Sequence, residues 1–236
     1  HLELQFEGIA THCIVWVNGT LVHRNWCGYT SFYIDMKALA RYGDELNNVT
    51  VRVDANALEG WWYEGAGIYR NTWLVKRSPV HLVTDGIYAN PVKKDGAWSI
   101  ILENSGNQDA GVEVAATLLD PDGNEVTKES CRTQVKVLAK AVVEMTIPVR
   151  RPELWSVDQP VLYTVRTVVT QQSRLIDEVE TRCGFRTIRF TPDSGFFLND
   201  QPLKIKGTCN HQDHAGVGVA VPASIWDFRL RKLKEM

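Results

Sequence analysis

VEVAATLLDPDGNEVTKESCRTQVKV, residues 112–137, decides the fold class. Within it, 112–119 and 133–137 read as strands. Asp120–Pro121–Asp122–Gly123 between them supplies the fixed φ of proline and the positive φ of glycine that a tight turn needs. The same grammar runs outward on both sides, with strands predicted over 80–88, 98–103, 142–147, 163–170, 175–181 and 184–188. Seven or eight strands in roughly 110 residues, with turn signals every 8–12 or so, are the arithmetic of an immunoglobulin-like sandwich over 78–188. No Cys–Trp–Cys spacing accompanies them, so the broader sandwich class is expected rather than an antibody domain.

Toward the N-terminus, 1–77 also reads as short strands, at 2–6, 13–17, 20–23, 32–34 and 48–53. Asn18–Gly19 between two of them is a strong hairpin signal, because a type I′ turn needs positive φ at both central residues. This piece is expected to be antiparallel β with too few strands to close a sandwich by itself. After Arg189 the grammar changes. LKIKG, 203–207, reads as one strand, 208–218 as a polar loop, and Pro222 opens a helix in which Ser224 and Asp227 can form a capping box. Trp226, Leu230 and Leu233 fall on one face of that helix. A β-loop-α unit in 189–236 needs cover on both faces of its strand, so it is expected to open a larger parallel α/β domain. Alternating Leu2, Leu4 and Phe6 begin at the first residue, and Met236 lies within an amphipathic pattern, so the chain is expected to be cut at both ends.

Composition narrows the class. The chain has 236 residues, 44% hydrophobic and 23% charged, which excludes disorder. Its apolar runs, such as Ile14–Val15–Trp16–Val17, are far below the roughly 18 residues of a membrane-spanning helix, so no membrane partner is expected. Basic residues number 26 against 28 acids, for a net charge of −2, and they are dispersed, so no nucleic acid is expected either. Cys13, Cys27, Cys131, Cys183 and Cys209 show no CxxC spacing, and are expected to be reduced and mostly buried.

Two segments carry recognition chemistry. EGWWYEGAGIYRNTWL, 59–74, mixes aromatic faces with carboxylates, which is how proteins hold sugars, although aromatics packed into a domain interface with Arg70 paired to an acid would read the same way. NHQDH, 210–214, lies in the loop after the predicted strand of the β-loop-α unit, where (β/α)₈ barrels build active sites. His211 and His214 with Asp213 do not fix a metal geometry, and a hydrogen-bonding histidine is the expectation, with no metal and no cofactor. Glu178 and Glu180 share one strand face and read as a solvated edge. No G-x-S-x-G, P-loop or GxGxxG is present.

Four motifs occur in order: GIYRNTWL at 67–74, PELWS and QPVLY at 152–156 and 159–163, CGFRTI at 183–188, and FLND through KGTCNH at 197–200 and 206–211. Together they resemble glycoside hydrolase family 2, which includes β-galactosidases, β-glucuronidases and β-mannosidases. The resemblance implies a mainly β chain: a partial jelly-roll sugar-binding domain at 1–77, an immunoglobulin-like sandwich at 78–188, and the first β/α unit of a (β/α)₈ catalytic barrel at 189–236. It implies that both catalytic glutamates lie beyond the point matching Met236. A retaining glycosidase needs two carboxylates about 5–5.5 Å apart, so the chain itself is expected to be inactive and to hold no catalytic residue.

The wording NHQDHAGVGVAVP is most similar to the bacterial β-galactosidase branch. By that resemblance His211 contacts the sugar in the −1 subsite, beside Asn210 and Asp213. Glu59 stands where β-galactosidases carry an aspartate reaching in from the first domain. Asp213 matches an acid position of the glucuronidase-like pattern. The expected partner is a carbohydrate substrate, with homo-oligomerisation left open. The readings weighed are a retaining β-galactosidase, a β-glucuronidase or β-mannosidase of the same family, a stand-alone carbohydrate-binding β-protein, and a structural sandwich array.

Overall fold

A computed structural model describes residues 1–56, 65–92 and 95–236. The chain is mainly β, and divides into two compact units, one of His1 with Arg77–Gly207 and one of Leu2–Lys76 with Thr208–Met236.

In the second of these lie β1 (Leu2–Phe6), β2 (Ile9–Ala10), β3 (His12–Val17), β4 (Thr20–Asn25), β5 (Phe32–Asp35), β6 (Val49–Asp54), β7 (Gly67–Ile68) and β8 (Thr72–Lys76). They form antiparallel sheets of order β5-β1-β8, β4-β3-β6 and β2-β7. Alternation puts Leu4, Phe6, Cys13, Val15, Val17, Phe32 and Ile34 into one buried cluster fed by both three-stranded sheets. The predicted hairpin forms: Val17 pairs with Thr20 across Asn18 (φ 49°) and Gly19 (φ 85°). Asn18 also fastens the turn to 39–48, its amide donating to the Leu39 carbonyl at 2.7 Å and its side-chain oxygen accepting from Asn48 N–H at 2.9 Å. Beyond the expected strands the segment adds β2, β7 and β8, which pair with β7, β2 and β1 respectively. Both β2 and β7 are two-residue strands, too short for alternation to reveal.

The other unit contains β9 (Val80–Val92), β10 (Asp95–Asn104), β11 (Ala110–Leu119), β12 (Glu125–Val135), β13 (Ala139–Pro148), β14 (Tyr163–Gln171) and β15 (Arg174–Cys183). Sheets β13-β10-β9 and β12-β11-β14-β15 enclose one core in which Leu82, Trp98, Ile100, Val114 and Leu118 are fully buried. Residues 120–124 turn as expected, Gly123 at φ 86°. The Asp120 carboxylate accepts the N–H groups of Asp122 and Asn124, and the Asn124 amide beside it holds its carboxyl below the usual carboxylate range. The strand expected at 133–137 instead runs Glu125–Val135, because an edge strand exposing Lys128, Glu129 and Arg132 lacks an apolar pattern.

Asp177 does not belong with the solvated acids of β15. It accepts Leu82 N–H at 2.8 Å and faces Arg77 at 3.9 Å, and both side chains are mostly covered. The Arg77 guanidinium also donates to the Leu82 carbonyl. Glu178 and Glu180 do form the exposed face, bridged by Arg166 at 3.3 and 2.9 Å.

A regular strand at 184–188 is not formed. Phe185 makes a single parallel bridge to Leu154, Trp155 N–H donates to the Phe185 carbonyl at 2.8 Å, and a Cβ on Gly184 would sit 3.0 Å from that of Trp155. The chain bends here to seat the indole, so the PELWS and CGFRTI motifs meet in space. Asn199 joins them, its amide donating to the Trp155 carbonyl at 3.0 Å.

A small sheet follows, of order β16-β17-β18, from β16 (Ile188–Thr191), β17 (Gly195–Leu198) and β18 (Gln201–Pro202). Residues 203–207 do not form the predicted strand: Leu203 N–H donates to the Phe196 carbonyl at 2.9 Å, but among the described residues no strand pairing extends from it along 204–207, and a strand exists only by pairing. The helix α1 (Ala223–Glu235) does form, capped by Pro222. The expected capping box does not, because Ser224 is already inside the first turn rather than before it, and makes no capping hydrogen bond. The stripe of Trp226, Leu230 and Leu233 is only partly covered, and no residue of α1 is buried. Among the described residues no helix is long and apolar enough to cross a membrane.

Candidate functional site

The polar loop and α1 pack in the same unit as the first strands, where the loop borders a cleft of about 610 Å³. One wall is Asp213, His214 and the turn that follows. The other is Ala10, Gly65, Ala66 and Tyr69. The turn is closed by reciprocal hydrogen bonds between the backbones of His214 and Gly218, both 3.0 Å, with Gly216 at φ 86° and Gly218 at φ 56°, a left-handed path suited to glycine. Tyr69 is fixed by donating its hydroxyl to the Gly28 carbonyl at 2.8 Å. Gly8 lies under the Tyr69 ring, where a Cβ would come within 3.0 Å of it.

A second cleft of about 590 Å³ shares Tyr69, Val219 and Ala220 with the first, and adds Glu7, Tyr29, Arg70, Asn71, Gln212 and Trp226. Trp73 donates its indole N–H to Glu7 at 2.7 Å, and Gln212 donates its amide to the Tyr29 hydroxyl at 2.8 Å. Of the aromatic segment at 59–74, the described part is therefore partly structural, in Trp73, and partly cleft wall, in Tyr69 and Arg70.

Arg229, on the second turn of α1, organises the loop. Its guanidinium lies over the Trp226 ring at 5.1 Å and donates to the His211 carbonyl at 3.0 Å, to the Asp213 carbonyl at 2.5 Å, and to Nδ1 of His214 at 2.8 Å. A planar fork can hold several acceptors at once in a fixed relation, which an ammonium group does not do.

The structure brings Asp213 into the cleft and adds His214 beside it. His211 and Asn210 are exposed and are not among the residues lining it, although the His211 backbone is held by Arg229. Glu59 lies outside the described residues. Sequence reasoning missed Arg229 and Tyr29. The one signal for Arg229 was its spacing of three from Trp226 on a helix that starts directly after the loop.

Among the described residues no group of His, Cys, Asp and Glu is arranged to hold a metal ion. Asp213 is the single carboxylate among the described residues that line the first cleft. One carboxylate, one imidazole and an aromatic wall can bind hydroxyl groups, whereas retaining glycoside cleavage needs a pair of carboxylates.

Residues 83–186 match the model for "Glycosyl hydrolases family 2". The chain is 33% identical to "Beta-galactosidase BoGH2A" of Bacteroides ovatus over 99% of its own length and 28% of that protein's. It is 29% identical to a "Beta-glucuronidase" of Bacteroides fragilis over 100% of its own length and 36% of that protein's. The crystal structure of a glycosyl hydrolase family 2 member from Bacteroides cellulosilyticus superposes with a TM-score of 0.93 at 29% identity, covering 99% of this chain and 33% of that one. Along essentially its whole length the chain is similar to members of glycosyl hydrolases family 2. It spans about a quarter to a third of these relatives' lengths.

Proposed function

We propose that the whole protein is a retaining glycosidase that releases terminal β-D-galactosyl residues, and that residues 1–236 supply one side of its sugar subsite. In this reading 1–77 act as the jelly-roll sugar-binding domain, 78–188 as the immunoglobulin-like spacer and 189–236 as the opening of the (β/α)₈ barrel. Asp213, His211 and Asn210 contact sugar hydroxyls, and Glu59 reaches in from the first domain.

The observation that carries galactose over glucuronate is the charge of the first cleft. Its described lining holds the Asp213 carboxylate and no lysine or arginine, and Arg229 is committed to the loop backbone. A uronate would bring a second negative charge to Asp213 without a cation to offset it, whereas a neutral hexose offers hydroxyls that donate to the carboxylate.

The test is kcat/KM of the whole protein on aryl β-galactoside, β-glucuronide and β-mannoside. The galactoside should lead by at least about tenfold, the ratio expected for one mismatched charged contact. A glucuronide or mannoside that leads by as much overturns the assignment. With one carboxylate in the described cleft, residues 1–236 alone should turn over none of the three.

A further inference from the structure

We propose that Arg229 is a positioning residue that fixes the tautomer of His214, and that His214 is thereby a sugar-binding residue paired with Asp213 to read two neighbouring hydroxyls. The proposal rests on the reading of the cleft as a sugar subsite.

A guanidinium has five N–H donors and no acceptor. At 2.8 Å from an arginine Nη2, the His214 Nδ1 must offer its lone pair. The ring proton of the neutral imidazole then sits on Nε2, and the ring is a donor on its other edge. Arg229 cannot swing away cheaply, because the same fork holds the carbonyls of His211 and Asp213 and its plane rests over Trp226.

His214 and Asp213 both border the first cleft, as adjacent residues of the Arg229-held loop. In the proposed arrangement the free edge of the His214 ring and the Asp213 carboxylate turn to the cleft, which is offered an N–H donor and an acceptor from adjacent residues. A vicinal diol matches that pair: one hydroxyl donates to Asp213 while its neighbour accepts from His214. Had the ring carried its proton on Nδ1, it would face Arg229 donor to donor and present the cleft with a second acceptor instead.

The test has two arms. Nitrogen-detected NMR of the imidazole in the 236-residue chain should show His214 with its proton on Nε2. Arg229→Gln and Arg229→Lys should give a mixture of tautomers. In the whole protein, the same variants and His214→Leu should raise KM for an aryl β-galactoside about five- to tenfold, the loss of one hydrogen bond, with a smaller change in kcat. His214→Gln, which keeps an N–H donor, should recover part of that loss. A wild-type ring protonated on Nδ1 overturns the proposal even if every variant misfolds. So do folded Arg229 variants with wild-type tautomer and KM. Turnover of β-galactosides with an Nδ1-protonated ring overturns this proposal alone, whereas an Nε2-protonated ring in a protein that acts only on other glycosides overturns the substrate reading.

Discussion

The sandwich and the loop-helix segment show two ways of fixing residues in place. In the sandwich, position is set by burial: Leu82, Trp98, Ile100, Val114 and Leu118 are fully enclosed, and strand alternation decides which side chain faces in. In the segment from Thr208 to Met236, α1 buries none of its residues, and position is set by directed hydrogen bonds from one arginine. Burial is tolerant of side-chain identity provided volume is kept, whereas a fork of hydrogen bonds is not. The two regions should therefore respond oppositely to mutation, the sandwich in stability and the loop in ligand contact.

The largest expected effect is in the sandwich core. Trp98→Ala should cost about 3–5 kcal/mol, against about 0.5 kcal/mol or less for Leu233→Ala on α1. Urea unfolding followed by circular dichroism measures both, and equal losses would erase the contrast.

A smaller contrast lies within one strand. Asp177→Ala leaves Leu82 N–H without its acceptor and Arg77 without its carboxylate partner, and should cost about 1–3 kcal/mol. Glu178→Ala, one residue along on the solvated face, should cost less than about 1 kcal/mol.

The third prediction is a pH dependence. Burial pushes the pKa of His81 down, only partly offset by the Pro79 carbonyl and Glu103, and burial does the same to His23, which stacks on Phe32. Burial thus favours the neutral form of both rings in the folded state. The stability this gives is present above the unfolded value of about 6.5 and is lost as pH falls through the folded value. His81→Gln should flatten the fall in unfolding midpoint between about pH 7.5 and about pH 5. An unchanged slope would show that His81 is not its source.

The smallest effect is chemical and leaves stability untouched. Burial pushes the Cys183 thiol up to about 11, whereas Cys209 is exposed. A disulfide reagent near neutral pH should therefore modify Cys209 first and Cys183 last. The expectation that the cysteines are mostly buried is corrected in the same terms, since only Cys13 and Cys183 are buried.

What was legible in the sequence follows the same division. Asn18–Gly19 and Asp120–Gly123 announced their turns because positive φ restricts residue type, and both occur as read. The inner strands were legible because one face is apolar. β12 was half missed because its pattern is that of a charged edge, and β2 and β7 because two residues carry no period. Residues 203–207 have the apolar alternation of a strand, but a strand also requires a neighbour, which composition cannot supply. At the site, NHQDH was visible as a polar loop. Which of its members enters the cleft was not, because that depends on Arg229, two of whose partners are backbone carbonyls, which carry no trace in residue identity.

The edge of the four-stranded sheet bears on how the chain behaves when crowded. β12 lines its outer border with Lys128, Glu129 and Arg132, and at the opposite edge β15 carries Glu178 and Glu180, bridged by Arg166 of β14. An intruding strand from a second molecule would have to desolvate these charges to reach the free backbone groups, a penalty that opposes edge-to-edge stacking. Completed sandwiches of this chain should therefore resist edge-to-edge fibril seeding even at high local concentration.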